Sequence, residues 1–157
     1  MLRLLAGLAR AEAGHLWWNG ADVLSDRTEH GRRVALLGHQ DALKPGLTAA
    51  ENLAFAADLS GRPVEGALAA LGLADLADIP ARMLSAGQKR RLALARVSLS
   101  GAPLWLLDEP APGLDDAAIQ QLGVLLARHR ASGGMIAAST HVALPLPGAE
   151  VLRLNAD

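Results

Sequence analysis

Two adjacent carboxylates, Asp108 and Glu109, close the apolar run Leu104-Trp105-Leu106-Leu107 and are followed by Pro110. An apolar strand that ends in paired carboxylates can serve a nucleotide-hydrolysing sheet. The first carboxylate reaches Mg²⁺, usually through water, because that ion prefers oxygen ligands and keeps its waters. The second can position or deprotonate the attacking water. A second group is Leu84-Ser85-Ala86-Gly87-Gln88, which precedes the helical run KRRLALAR. Ser85 and the backbone N–H groups of a helix start form an anion site, where the helix dipole favours phosphate, and the small Ala86 and Gly87 leave room for close approach. Gln40, in a loop at a strand end, could sense metal or water, and His141, after the apolar run MIAAS, could contact a γ-phosphate. Each piece also has a plainer reading: an acidic turn after a strand, a Ser-capped helix, a loop glutamine, a structural histidine. Their order along the chain, each at an element junction, favours the chemical reading.

The elements that must hold these groups are legible from periodicity and breakers. Leu2, Leu4, Leu5, Leu8 and Ala9 recur at helical spacing, and Gly14 can stop that helix. His15 to Trp18 reads as a short strand that turns at Asn19-Gly20. Arg33 to Gly38 is a second, more buried strand, and His39 to Thr48, with Lys44-Pro45-Gly46, is a loop. Thr48 and Glu51 form a capping-box pattern that opens a helix running to about Leu59. Gly61 to Pro63 breaks the chain, and Val64 to Leu71 is a further helix. In the helix after Gly87, Leu92, Ala95 and Leu99 share one face, and Lys89, Arg90 and Arg91 are expected to be exposed. Leu104 to Leu107 is a strand, Asp115 to Arg130 a long helix, Met135 to Ser139 another strand, and Val151 to Leu154 a final one. Strands alternating with helices, with polar residues at the strands' carboxyl ends, predict an α/β fold with a mainly parallel, helix-covered sheet. The nearly all-helical stretch 49–100 is expected to form a helical subdomain within one domain.

Bulk properties agree and exclude several classes. In 157 residues, 51 % are hydrophobic and 20 % charged, with a net charge of −1, so binding driven by a polyanion is not suggested and no nucleic-acid partner is expected. The absence of cysteine rules out disulfide scaffolds, thiolate metal sites and cysteine nucleophiles. Apolar runs are short, below the roughly 18 residues a membrane span needs. The opening MLRLLAGLARAEAG superficially suggests a targeting peptide, but Arg3 and Arg10 punctuate it and it reads as an amphipathic helix.

Taken together, the motifs resemble those of the ABC transporter ATPase domain over essentially the whole chain. LSAGQKRRLALAR resembles the signature motif and its helix, and LWLLDEP resembles Walker B with the catalytic glutamate. Pro112-Gly113-Leu114-Asp115 resembles the D-loop, Ser139-Thr140-His141 the H-loop, and Leu37-Gly38-His39-Gln40 the Q-loop. Within the family, LLGHQDALKPGLTAAENLAF, the signature with Ala86, and GGMIAASTH look like the haem-exporter branch of bacterial cytochrome c maturation. The resemblance implies a P-loop NTPase fold, ATP and Mg²⁺ as cofactors, and hydrolysis coupled to export. It implies that Asp108 holds Mg²⁺ through water and that Glu109 polarises the attacking water. Gln40 would touch the metal and couple it to the membrane partner. Ser85, Ala86, Gly87 and Gln88 would grip the γ-phosphate on an opposite subunit, Asp115 would cross the dimer interface, and His141 would contact the γ-phosphate in its own site. The implied partners are polytopic membrane subunits and a second ATP-binding subunit, at the cytoplasmic face of the bacterial inner membrane. His15, His30, His39 and His129 show no haem-binding signature, so no direct haem site is assigned.

The sequence departs from the family in one respect. No GxxxxGK[ST] phosphate loop occurs in it, nor any Gly-Lys pair. LRLLAGL resembles the family's segment immediately after that loop, so the expectation is that the loop, its strand and the upstream adenine-stacking aromatic are absent, and that this short chain alone is inactive. Either the start is clipped or mis-assigned, or the chain is degenerate and docks without catalysis, still offering Ser85 to a partner's site. Pro112-Gly113 departs mildly from the usual D-loop. A DNA-repair or chromosome-structuring ATPase is disfavoured, because only 45 positions separate Gln40 from Ser85 and no heptads lie between them.

Overall fold

The computed structural model describes residues 1–153. Leu2–Leu5 form α1, and the chain leaves the helix at Gly7, whose φ of 70° only glycine adopts freely. The expected helix through Ala9 is therefore cut short: Leu8 is exposed, and of the expected apolar stripe Leu2 alone is buried. Trp17–Trp18 (β1) and Ala21–Asp22 (β2) pair antiparallel around Asn19 (φ 49°) and Gly20 (φ 81°), two positive φ values in succession as a type I′ hairpin requires.

The sequence reading missed a short helix, Arg27–Arg32 (α2), which Asp26 caps by accepting from Glu29 N at 2.9 Å. Val34–Leu37 (β3) comes next. Ala49–Ser60 (α3) begins with the full Thr48/Glu51 capping box and ends at Gly61 in the left-handed region, as the sequence predicts. Val64–Ala70 (α4) and two 3₁₀ turns, Ala74–Leu76 and Ala81–Met83, lead to Ala86–Leu99 (α5). The remaining elements are Leu104–Asp108 (β4), Asp116–Ala131 (α6) and Met135–Ser139 (β5). Residues 151–153 do not form the expected strand, and Leu154 lies outside the described residues.

β3, β4 and β5 form one parallel sheet in that order, with Leu37 beside Leu107 and Asp108 beside Ser139. Alternation assigns its faces. Ala35, Leu37, Trp105, Leu107, Ile136 and Ala138 turn toward the main core with Leu53, Leu92 and Leu126. Val34, Leu36, Leu104, Leu106 and Ala137 turn the other way, against Leu2, Leu5 and Ala6 of α1. Every element between Ala49 and Leu99 is helical, but its apolar side chains belong to the same core as the sheet. Helix α5 is buried nearly all round: Leu92, Ala93, Leu94, Ala95, Val97 and Leu99 are all buried. That burial extends to Arg90, which corrects the expectation of an exposed basic run; Lys89 and Arg91 are half-buried.

Candidate functional site

The sheet delivers Asp108 and Ser139 side by side at the carboxyl ends of β4 and β5. Their side chains meet, with Ser139 Oγ donating to Asp108 Oδ1 at 2.5 Å. Glu109 continues the ladder by one bond, its N–H donating to Ser139 O at 2.9 Å, and then turns sharply with φ at 47°. A glutamate in this left-handed region costs free energy that the surrounding structure must offset, and such strain concentrates at functional positions. The turn swings the Glu109 carboxylate toward His141. His141 N donates to Glu109 Oε2 at 3.3 Å, and His141 Nε2 lies 3.5 Å from Glu109 Oε1. The imidazole is almost wholly exposed, so it is free to meet a ligand while Glu109 stays three-quarters covered.

Beneath these groups lies Arg90, which the sequence reading took for a surface residue. Its guanidinium donates to Gly38 O at 3.0 Å and Asp41 Oδ1 at 2.7 Å, and also to the carbonyls of Asp108 and Glu109. One buried side chain thus ties α5, the loop after β3 and the end of β4 to one another. Two turns further along α5, Arg96 donates to Ala42 O at 2.7 Å and Asp41 O at 2.9 Å. Burial lowers the Arg96 pKa from its ordinary value while Asp41 pulls it back up. The signal for Arg90 was present in the sequence: Leu94 and Val97 stand four and seven residues later, so helical geometry places Arg90 on a buried stripe.

The two arginines hold the loop that presents Gln40. Gln40 itself is exposed and has no side-chain hydrogen bond among the described residues, and its neighbour Ala42 adopts φ 51°. On α3, Asn52 fixes the rest of the loop, accepting from Lys44 N at 2.7 Å and donating to Lys44 O, Leu47 O and Thr48 O.

Ser85 caps α5 in a reciprocal box. Its Oγ accepts from Gln88 N at 3.2 Å, and Gln88 Oε1 accepts from Ser85 N at 2.8 Å. The Ser85 hydroxyl hydrogen is therefore unspent, and a phosphate oxygen at the exposed helix start could accept it. Ala86 is exposed beside it. The space left by Gly87 is used within the chain, since a Cβ there would overlap the carbonyl of Gly113, which itself needs φ 79°. Asp115 is exposed and caps α6 through Ala118 N at 2.8 Å. The structure thus brings Asp108, Glu109 and His141 together, ties the Gln40 loop to them through Arg90, and sets Gly87 against the turn that leads to Asp115.

The donors at the strand ends are oxygens of Asp108, Ser139 and Glu109, which suit a hard cation that keeps waters and takes substrate phosphates as ligands. Among the described residues no group of three His, Cys, Asp or Glu side chains could hold a metal ion unaided.

Comparison with known proteins gives concordant results. The ABC transporter family profile matches residues 1–112. The cytochrome c biogenesis ATP-binding export protein CcmA of Rhodospirillum rubrum is 55 % identical over 158 residues, covering 99 % of this chain and 68 % of that protein. Its namesakes in Paramagnetospirillum magneticum (51 % identical, 99 % and 75 % covered) and Gluconobacter oxydans (53 % identical, 93 % and 64 % covered) are similar. Among solved structures, the ATP-binding subunit of an ABC transporter superposes with a TM-score of 0.77 at 23 % identity, over 89 % of this chain and 62 % of that one. A dimeric ATP-binding cassette in a post-hydrolysis state with ADP and Pi gives 0.77 at 22 % identity, over 90 % and 68 %. The fold is the one they share.

Proposed function

The chain belongs to the ABC transporter ATP-binding family, and from that premise we propose that it serves as the ATP-binding and ATP-hydrolysing subunit of an exporter for cytochrome c biogenesis. The observation that carries the chemical part of this reading is the meeting of Asp108, Glu109 and His141 at the ends of β4 and β5.

The proposed side-chain roles draw support from the geometry. Asp108, oriented by the Ser139 hydroxyl, would hold the Mg²⁺ that accompanies the nucleotide. The cation, when bound, neutralises phosphate charge. Glu109, aimed by its strained backbone and steadied by His141, polarises the attacking water. His141 contacts the γ-phosphate, a role its exposed ring permits. Gln40 would reach the metal from a loop that Arg90 and Arg96 hold. Ser85, Ala86, Gly87 and Gln88 grip the γ-phosphate bound to a second ATP-binding subunit, supported by the unspent Ser85 hydrogen, and Asp115 crosses that interface.

Residues 49–100 are the helical subdomain that meets the polytopic membrane subunits. Phe55 and Leu59, one turn apart on α3 and each 74 % exposed, support this. They flank a groove of about 570 Å³ that Arg96 also lines. No helix among the described residues is long and apolar enough to cross a membrane, and the proposed location is peripheral, on the cytoplasmic face of the inner membrane. Haem is left to the membrane partners.

Because the 157 residues hold no GxxxxGK[ST] motif, they lack the backbone cradle and lysine for the β- and γ-phosphates. A second reading is a non-catalytic module that docks on membrane subunits. A titration with a fluorescent ATP analogue and Mg²⁺ decides between them, run on this chain and on one extended upstream with a GxGKTT loop. The proposal expects no saturable binding by the 157 residues and clear binding by the extended chain. Failure of the extended chain to bind would leave only the docking reading. Saturable binding by the shorter chain would show that its residues hold nucleotide without the loop.

A further inference from the structure

At the opposite end of the sheet, about 13 Å of strand away from Asp108, lies a cavity of about 610 Å³. It is bounded by the start of α4, the end of α5, the amino ends of β4 and β5 and the end of α6, and none of the nucleotide-site groups lines it. Its volume is that of a small-molecule site.

Two features of its wall are unusual. The first is charge. Arg62 and Arg128 line it beside the His129 ring, and among the described residues no carboxylate does. Arg62 stands near enough to His129 to lower the imidazole pKa by charge repulsion, although burial is the larger cause. Arg62 donates to Ser98 O at 3.0 Å, and neither Arg62 nor Arg128 has a carboxylate partner among the described residues. Two guanidiniums that line one cavity with no carboxylate partner favour an anion there.

The second feature is unmet hydrogen bonding. Of the buried side-chain polar atoms that lack a partner, Trp105 Nε1 belongs to a residue of this wall. Trp105 is only 4 % exposed, and the His129 ring stacks on it at 3.8 Å with 9° between the planes. An orphaned indole N–H in a core is costly unless something supplies an acceptor. The rest of the wall is apolar, with Ala67, Leu99 and Leu125.

We propose that this cavity is a second ligand site that takes a small organic anion, a carboxylate or phosphate on a flat apolar body. The anionic group sits between Arg62 and Arg128, and the apolar body lies against Leu99 and Leu125. Trp105 Nε1 is the buried donor that such an acceptor would satisfy. The site joins the helical stretch, through Arg62, to the sheet and α6, through Trp105 and Arg128, so occupancy braces the two against each other.

The test is calorimetric titration of the full chain with 1-naphthoate, 1-naphthyl phosphate and the neutral 1-naphthalenemethanol. At least one anion is expected to bind saturably in the micromolar to millimolar range, and the neutral probe is not. Arg62→Gln and Arg128→Gln are each expected to weaken the anion about tenfold, as loss of a charge-assisted contact does. Arg32→Gln, outside the cavity, and Asp108→Asn, in the nucleotide site, are expected to leave it unchanged. The response to carboxylate versus phosphate identifies the headgroup. Saturable binding by neither anion, equal binding of the neutral probe, or undiminished binding by both arginine variants overturns the proposal.

Discussion

Replacing Arg90 with methionine keeps length and apolar stem but removes the guanidinium. Three carbonyls, of Gly38, Asp108 and Glu109, and the Asp41 carboxylate then lose their shared donor. Breaking a buried ion pair from one side costs about 3–5 kcal/mol. Here the Arg90 side chain is 8 % exposed but Asp41 is 25 % exposed, so water recovers part of the loss. The three carbonyls add some cost as weakened acceptors. A net destabilisation of about 3 kcal/mol is expected, which in a domain of this size lowers Tm by roughly 6–12 °C. Differential scanning calorimetry reads the shift. Arg90→Lys recovers less than half of it, because one ammonium cannot span four acceptors in two separate segments. Asp41→Asn should cost at least about 1 kcal/mol more in the native background than in the Arg90→Met background, as directly bonded partners do. An Arg90→Met protein melting within about 2 °C of the parent, or additive effects of the two substitutions, would refute the clamp.

Three further outcomes rest on local geometry. Gly87→Ala drives a methyl into the Gly113 carbonyl, so it should cost about 1–3 kcal/mol and shift the backbone amide resonances of residues 113–115; unshifted amides and unchanged stability would contradict the packing. Glu109→Gly relieves a left-handed φ and should raise stability by about 1 kcal/mol by urea denaturation, while a loss of that size would show that the turn is unstrained. His129 has its pKa lowered, chiefly by burial, with Arg62 adding repulsion. The unfolded chain therefore takes up this proton first, and stability that is full above the ordinary histidine pKa of 6.5 falls as pH drops below it. The urea midpoint should decline across that range and decline less in His129→Gln; identical profiles would rule out His129 as the cause.

Most of the positioning framework was legible in the sequence, because it is written in local signals. Thr48 with Glu51 and Ser85 with Gln88 are capping boxes that need nothing beyond three residues to form, and both are present. Asn19-Gly20 and the apolar runs of β3, β4 and β5 are equally local. What escaped depends on distant partners. α2 has a polar sequence, Arg27-Thr-Glu-His-Gly-Arg32, with no apolar stripe to mark it, and its His30 is buried only because Nε2 meets Leu5 O at 2.8 Å. The run Lys89-Arg90-Arg91 looks uniformly basic, yet only Arg90 falls on the buried stripe, and its acceptors lie 18 to 52 residues away in sequence. The N-terminal helix failed for the opposite reason, since Leu8 fits the period but Gly7 leaves it first. For the candidate site, Asp108, Glu109 and His141 stand out in the sequence by their place at strand ends, while Ser139 Oγ as the partner of Asp108 appears only when β4 and β5 lie in register.

The most direct test of the account is steady-state hydrolysis and Mg²⁺-ATP binding by the chain joined to an upstream phosphate loop, with and without Glu109→Gln. The account predicts that the variant binds nucleotide as the parent does, while hydrolysis falls about a hundredfold or more, as loss of a general base does. Hydrolysis at the parental rate would remove Glu109, and with it the proposed arrangement at the ends of β4 and β5, from the chemistry.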